Sequence, residues 1–519
     1  MKQDEKKFAL ISVSDKTGID KFAKSLIKNN YTILSTGGTA QFLSSKKIPN
    51  VSISEFTKFA EILEGRVKTL HPIIHAGILA KDKKSIDSLK NSHYSLIDIV
   101  VVNLYPFEST ISKANCKYDD AIENIDIGGP TMLRAAAKNH GRVTVIMEPE
   151  DYETIIKEID DNNQTCIDTR RKLAIKVFQK ISEYDSMIHH YLMSHENTEE
   201  LTLPSKINIT LEKISNLRYG ENPHQNASLY NIKYPKVEGF NFKQLAGKGL
   251  SYNNLVDTES ALSCVQQFKN PSCVIVKHAN PCGVAECTSL MAAYNNAYAT
   301  DPISAFGGII AFNKNVDEKI LKKIINQQFV EVIVAPNYSK KCLEVIKSKP
   351  NIRLLKVVKP SKDTARLEFK SLQSKFLIQE SDTKKVTSKN LKTVTIKKPS
   401  KRELDDLLFA FKVARYVKSN AIVFVKNKKT LGIGAGQMSR IDSTNIAKTK
   451  AKKHGLSLKG CVMASEAFFP FRDNIDLAKK IGVSSIIQPG GSIKDKEIIS
   501  IANKHGISMV LSGVRVFKH

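Results

Sequence analysis

The chain has 519 residues, 41% hydrophobic and 25% charged, with 79 Lys+Arg against 52 Asp+Glu for a formal net charge of +27. That length exceeds what one hydrophobic core organises, so several domains are expected, and the ordinary composition excludes a fibrous or disordered chain. No apolar run of about 18 residues is present to cross a membrane. Lysines spread over nearly every predicted helix, with no zinc-finger or RNP signature, argue for a solvated surface rather than a nucleic-acid interface, the dense run 384–402 included.

In chain order, residues 1–7 lead without an apolar segment into FALISVS (8–14), a predicted strand, so no signal peptide and a cytoplasmic location are expected. The stretch 16–30 sets Ile19, Phe22, Ala23, Leu26 and Ile27 on one helical stripe. YTILSTGG (31–38) reads as a strand ending in a Gly-Gly turn, DIVVVNLYPF (98–107) as a fully apolar strand stopped by Pro106, and VTVIM (143–147) as another. Strands alternating with helices predict parallel βαβ units. Residues 170–195 read as a long helix, and the polar stretch 196–210 with Pro204 sets a domain boundary after residue 198. Beyond it, SCVIVKHANPCG reads as a strand entering a turn, GGIIAFN and EVIVAP as short strands, and AIVFVKNKKTLGIGAG as a hairpin with a lysine-rich turn. SSIIQPGG and ISMVLSG flank a helix in a final βαβ-like unit, residues 345–402 are weakly patterned, and no internal repeat is visible. Eight cysteines without a CxxC pair predict reduced, mostly buried thiols.

In an open parallel sheet, ligands sit beyond the carboxyl ends of the strands. Four segments there, 12–18, 35–39, 103–105 and 126–129, are rich in hydroxyls and glycines. Their backbone N–H groups and the helix N-termini that follow suit a phosphate or phosphoribosyl group. Singly each is an ordinary βα turn; four on one sheet edge point to an anion site. The run 65–72 adds Arg66, Lys68, Thr69 and His71, groups fit for phosphate capture and proton transfer. The helix after Gly129 carries Arg134 and Lys138 at i, i+4.

SVSDKTG, STGGT, GRVKTLHP, HAGILA, NLYPF, IDIGG and RAAAKNH occur in this order. Together they resemble the IMP cyclohydrolase domain of the bacterial-type bifunctional AICAR transformylase/IMP cyclohydrolase family of purine biosynthesis. The resemblance implies an α/β protein whose residues 1–198 form a methylglyoxal-synthase-like domain on a parallel sheet. It implies that Ser12, Ser14, Lys16, Ser35, Thr36, Gly37, Arg66, Lys68 and Thr69 hold the ribosyl phosphate and base, with Asn103 and Gly128 completing the substrate set. Lys68, Tyr105, Asp126 and Lys138 are then the catalytic groups around the closing ring.

Further along, Lys277-His278 ends an apolar strand, where the pair can stabilise charge and move a proton. A histidine there is more commonly structural, but the adjoining Asn-Pro-Cys-Gly turn favours a site. A zinc nucleobase deaminase would carry H-x-E and P-C-x-x-C. Here Asn280 replaces the glutamate and four residues separate Cys282 from Cys287, so no metal is expected. Arg218–Gln225 and Asp301–Gly308 are other polar turns; Gly432–Arg440 is glycine-rich without GxGxxG spacing. Ala467–Asp473 offers three phenylalanines beside a charge pair, a platform for a flat ring.

LRYGENPHQ, KHANPCGVA, DPISAFGGIIAF, EVIVAP, GIGAGQMSR, SEAFFPFRDNID and GVRVFKH resemble the AICAR transformylase domain of the same family. The resemblance implies a cytidine-deaminase-like α/β region in two subdomains over 199–519, without the zinc. It sets Arg218, Tyr219, Asn420, Arg440 and Arg515 on AICAR, and Glu331 where some members have aspartate. Phe306, Gly307, Ile441, Phe468, Pro470, Asp473 and Asn474 lie toward the folate, and Lys277 and His278 form the catalytic pair. The implied co-substrate is 10-formyltetrahydrofolate and the other ligands are AICAR, formyl-AICAR and IMP. The implied assembly is a homodimer with the transformylase site at the subunit interface, with no nucleic-acid or membrane partner. Two alternatives stand beside this reading: a zinc-dependent nucleobase deaminase-like enzyme, which metal analysis would reveal, and a basic nucleic-acid-binding protein, which steeply salt-dependent duplex binding would reveal.

Overall fold

The computed structural model describes residues 6–92, 94–195, 203–234, 239, 241–358 and 367–519, so the boundary expected after residue 198 lies outside the described residues. The chain divides into two compact units, Met1–Thr210 with Lys233–Pro235, and Leu211–Ile232 with Lys236–His519.

The first unit is built on five strands, β1 (Lys7–Ser12), β2 (Tyr31–Ser35), β3 (Val51–Ser52), β4 (Ile99–Val102) and β5 (Thr144–Ile146). They lie in the order β3-β2-β1-β4-β5, every pair parallel. Ala9, Leu10 and Ile11 and all of β4 are buried, the continuous apolar run expected of a parallel strand covered on both faces. The helix Ile19–Lys28 packs Ile19, Phe22, Ala23 and Leu26 inward, the predicted stripe. The strand order reverses between β1 and β4, which opens a crevice at their carboxyl ends. Two expectations shift there. Gly37-Gly38 is not a turn but the first turn of the helix Gly37–Ser45, with Thr36 extended before it. The strand expected over 98–107 stops at Val102, because Asn103 turns away to bind the β1 loop.

β6 (Thr210–Asn216) and β7 (Ser228–Tyr234), which belong to the second unit except at Thr210 and Lys233–Tyr234, form a separate ribbon. Then follow β8 (Asn241–Ala246), the helix Tyr252–Val265, the hairpin β9 (Ser272–Lys277) and β10 (Asn280–Glu286), and the helix Leu290–Thr300. After these come β11 (Gly308–Phe312), β12 (Val330–Ala335) and β13 (Arg353–Val358). A second ribbon, β14 (Leu367–Leu372) with β15 (Lys375–Glu380), falls within the weakly patterned stretch. The sequence of elements then repeats: β16 (Lys392–Thr393), the helix Lys401–Ala414, the hairpin β17 (Ile422–Lys426) and β18 (Lys429–Gly434), the helix Arg440–Lys453, β19 (Val462–Ser465), β20 (Ser485–Gln488) and β21 (Ser508–Leu511).

Twelve of these strands make one sheet, β16-β21-β20-β19-β17-β18-β10-β9-β11-β12-β13-β8. Each half is an antiparallel hairpin, three mutually parallel strands and an antiparallel edge strand; the halves meet where β10 pairs with β18. The unit is therefore a structural duplication, although no repeat is visible in the sequence. The duplication survives as point constraints. Ser251 and Ser400 cap the corresponding helices. A side chain at Gly283 would run into the Ala297 carbonyl, and one at Gly432 into the Ala447 carbonyl, so both hairpins need glycine where a helix crosses them closely. Alternation divides the core: Val274 and Val276 join Val423 and Val425 in one layer shared by both halves. On the other face Cys273 and Ile275 pack within the first half, and Ile422 and Phe424 within the second.

Candidate functional site

In the first unit the predicted loops converge. Ser12 Oγ and Thr36 Oγ1 lie 2.9 Å apart, and Ser35 Oγ donates to the Ile11 carbonyl, which joins the ends of β1 and β2. Asn103 Nδ2 donates to the Asp15 carbonyl at 2.9 Å while its Oδ1 accepts the Ser14 and Asp15 N–H groups, which fastens β1 to β4. Lys16 bends back to the Ser14 carbonyl at 3.3 Å. Lys68 Nζ lies 3.1 Å from where a Cβ on Gly37 would stand, so the missing side chain leaves room for the ammonium. Gly37 has φ +37°, a conformation glycine tolerates. Thr69 Oγ1 stands 2.7 Å from the position of a Cβ on Gly128.

Asp126 precedes the helix Gly128–Lys138 and accepts the Gly129 N–H at 2.8 Å. Burial pushes its carboxyl above the ordinary value, tempered by the Gly129 and Tyr105 N–H groups and by the Lys68 charge. Burial and the Asp126 charge push the Tyr105 phenol up as well. Lys68, Tyr105 and Asp126 thus form one electrostatic cluster, with a carboxylate kept basic beside an ammonium. Two predicted residues stand apart from it. Arg66 forms a two-armed ion pair with Glu123 at the surface. Lys138 is exposed at the far end of its helix, about 15 Å of rise from Gly128. Sequence reasoning missed Tyr184, whose hydroxyl accepts the Asp126 N–H at 2.8 Å, because it lies in the long helix Ile167–Met193 and reads there as core.

In the second unit the turn after Lys277 is only His278-Ala279, and Asn280–Gly283, expected as loop, already belongs to β10. Lys277 Nζ donates to the Phe306 carbonyl, beside Gly307 with φ +68°. Asn280 holds the hairpin to the 418–420 segment: its Oδ1 accepts the Lys418 N–H at 2.9 Å and its Nδ2 donates to the His278 carbonyl at 3.2 Å. Lys277 and His278 line a cavity of ≈ 310 Å³ with Asp301, Ser304, Gln437 and Lys450. The strand directions bring the predicted residues to one edge of the sheet. That edge holds the end of β9, the starts of β11 to β13 with Phe306, Gly307, Glu331 and Arg353, the start of β17 with Asn420, and the ends of β18 and β19.

Side chains on this edge differ in availability. Arg440 is 8% exposed, its Nε on Ser465 Oγ at 2.8 Å and its Nη2 on Glu466 at 2.6 Å, which commits two of its nitrogens. Asn420 Nδ2 donates to the Gln437 and Met438 carbonyls. Asn474 is buried, accepting from Thr444 at 2.7 Å and donating to Asp473 at 2.9 Å; Ile441 and Pro470 are half-buried. Glu331 forms a 2.6 Å ion pair with the buried Arg353. Arg515 lies over Phe517 at 4.7 Å and Arg218 over Tyr219 at 5.4 Å. The aromatic platform is split: Phe469 is core, Phe468 half-buried and Phe471 exposed, while Phe306 is 60% exposed with its ring 5.5 Å from that of Phe329. Sequence reasoning missed Asp257, whose carboxylate accepts the Ala279 N–H at 2.6 Å; its one signal is the position six residues after the cap Ser251, matched by Asp406 after Ser400.

Among the described residues no helix is long and apolar enough to cross a membrane. A family model for an MGS-like domain matches residues 18–131, and one for the AICARFT/IMPCHase bienzyme matches residues 136–450, more than half of the chain. A solved structure titled "Crystal structure of ForH" is 28% identical over 35% of this chain and 94% of its own, with a TM-score of 0.33. The two family matches, over residues 18–131 and 136–450, agree with the parallel-sheet first unit of this chain: the chain belongs to the AICARFT/IMPCHase bienzyme family, whose members are bifunctional enzymes of purine biosynthesis carrying AICAR formyltransferase and IMP cyclohydrolase activities.

Proposed function

We propose that the two activities are divided between the units: residues 1–198 cyclise formyl-AICAR, and residues 199–519, in two subdomains, transfer the formyl group. In the first unit Ser12, Ser14, Lys16, Ser35, Thr36, Gly37, Thr69, Asn103 and Gly128 hold the ribosyl phosphate and base, and Arg66 joins them by exchanging Glu123 for the substrate. The carboxamide nitrogen attacks the formyl carbon of the same molecule, then water leaves. Holding the substrate folded supplies much of the rate of such an intramolecular step. Asp126, kept basic by burial, takes the amide proton, and Lys68 stabilises the oxyanion. The observation that carries this reading is the Lys68–Asp126–Tyr105 cluster beside Gly37. By the resemblance Lys138 is a further group of the cyclisation site, although it lies at the other end of its helix from Gly128.

In the second unit the AICAR amine attacks the formyl carbon of 10-formyltetrahydrofolate and His278 accepts the amine proton; Lys277 stabilises the tetrahedral oxyanion or protonates the folate nitrogen, which leaves as the neutral amine of tetrahydrofolate. Arg218, Tyr219, Glu331, Asn420, Arg440 and Arg515 bind AICAR. Phe306, Gly307, Ile441, Phe468, Pro470, Asp473 and Asn474 face the folate, where exposed aromatic faces such as Phe306 suit a flat ring. The protein acts in the cytoplasm as a homodimer. An absorbance assay with AICAR and 10-formyltetrahydrofolate, with IMP identified as product, tests the whole. Variants K277A and H278A should lose formyl transfer yet cyclise supplied formyl-AICAR, and K68A should accumulate formyl-AICAR. Loss of both activities in a folded K277A or H278A protein overturns the division.

A further inference from the structure

The β9-β10 turn has two residues, and both are left-handed non-glycines, His278 at φ +52° and Ala279 at φ +57°. Hairpin turns of this hand favour Asn-Gly or Asp-Gly, and a strained turn persists only where its surroundings hold it. The helix Tyr252–Val265 supplies that hold. Asp257 accepts the Ala279 N–H at 2.6 Å and also the His278 N–H, and Ser260 donates to the Ala279 carbonyl at 3.0 Å.

The other half of the duplication builds the same frame. Asn427 and Lys428 are left-handed, at φ +53° and +52°, and Asp406 accepts both their N–H groups, at 2.9 and 2.7 Å. Lys426 donates to the Lys459 carbonyl before the left-handed Gly460, as Lys277 donates to Phe306 before Gly307. The carboxylate fork is thus a device of the fold, and the two turns differ in what they present: an imidazole at 278, a carboxamide at 427. Burial raises the Asp257 carboxyl, and the His278 and Lys277 charges draw it back down, so the three groups are electrostatically linked.

We propose that Asp257 is the positioning residue of formyl transfer, its carboxylate fixing the strained turn that aims His278 and Lys277 at the reacting atoms. The role rests on the assignment of those two side chains as the formyl-transfer pair. Asp257→Asn keeps one acceptor oxygen and loses the fork. The expected result is a fall in kcat for formyl transfer on the order of 10²-fold, with KM for AICAR and for the formyl donor unchanged and cyclisation of supplied formyl-AICAR intact. Asp406→Asn, the same change at the turn without an imidazole, should leave kcat at the wild-type value. Adding Ala279→Gly to Asp257→Asn should restore most of the lost kcat, because glycine holds the left-handed turn without strain. Thermal unfolding of each variant separates misfolding from misplacement, and the Ala279→Gly pair keeps the test usable if Asp257→Asn alone does not fold. Equal losses in the two Asn variants, a loss seen in KM instead of kcat, or no rescue by Ala279→Gly would overturn the proposal. His278→Ala is run beside them. If it still transfers formyl groups, the underlying assignment fails; if it is inactive while Asp257→Asn is fully active, the assignment stands and the positioning role fails.

Discussion

Gly129→Ala should separate cyclisation from stability. A Cβ at 129 would stand 3.0 Å from Asp126 Cγ and 3.2 Å from Oδ1, with Oδ2 nearer still. The aspartate side chain is short, and its Oδ1 is fastened to the Gly129 N–H at 2.8 Å, so the carboxylate cannot simply swing clear. Relieving the contact takes a shift of about 1 Å, the scale on which misplacement costs on the order of 10²-fold in rate. That factor corresponds to about 2.7 kcal/mol of transition-state stabilisation. The stability cost is about 1–3 kcal/mol from the crowding, and alanine regains little of its helix preference in the first turn before Pro130. The midpoint of thermal unfolding should therefore change by only a few degrees. Supplying formyl-AICAR and following IMP formation reads the cyclisation rate directly, and the formyl-transfer rate of the same preparation is the internal reference. Unchanged cyclisation would refute the role given to the Asp126 carboxylate, and a parallel fall in both activities would show that the damage is to folding.

Further outcomes follow from other groups. Because burial raises the Asp126 carboxyl, cyclisation should fall as pH drops through a value above the ordinary 3.8. Lys68→Met should move the midpoint of this acid limb higher, since it removes a charge that holds the pKa down; a midpoint at or below 3.8 in the wild-type protein would contradict the base assignment. Arg440→Met strands the fully buried Glu466 and should cost about 3–5 kcal/mol in urea unfolding, whereas a loss below about 1 kcal/mol would show that the pair contributes little.

The convergence of the loops in the first candidate site was legible in the sequence because its parts are loop chemistry. Hydroxyls and glycines at strand ends read the same whether or not the strand stops at the expected residue, so misplacing the end of β4 by several positions cost nothing at Asn103. Tyr184 was not legible, because a tyrosine at a core position of a long helix looks like packing until its hydroxyl is seen on the Asp126 backbone. The resemblance sets Arg440 among the AICAR contacts, but its burial and the commitment of its guanidinium to Glu466 are tertiary facts that no local pattern carries. The duplication was invisible for a related reason. What it conserves is a capping serine, an aspartate six residues on and a glycine under a helix crossing, and other residues fill the space between. Such point constraints fall below the density that makes a repeat visible, although each is fixed by a steric or hydrogen-bonding need.

The same duplication bears on why the proposed formyl-transfer chemistry belongs to one turn and not to its counterpart. Because β10 and β18 are antiparallel, the two hairpin turns lie on opposite edges of the sheet. The His278 turn shares its edge with Asn420 and the 468–474 segment at the end of β19, which hold the residues proposed to contact the substrates. The Asn427 turn faces other strand ends, and its lysine rests on the carbonyl of Lys459, where the first half has the exposed ring of Phe306. A histidine alone therefore should not transplant the reaction. In a His278→Ala background, Asn427→His should restore no formyl transfer, although Asp406 would hold that imidazole on a turn of the same hand. Measurable recovery in this double variant would mean that the turn suffices without the edge, and would contradict the assignment of AICAR and folate contacts to the residues gathered beside His278.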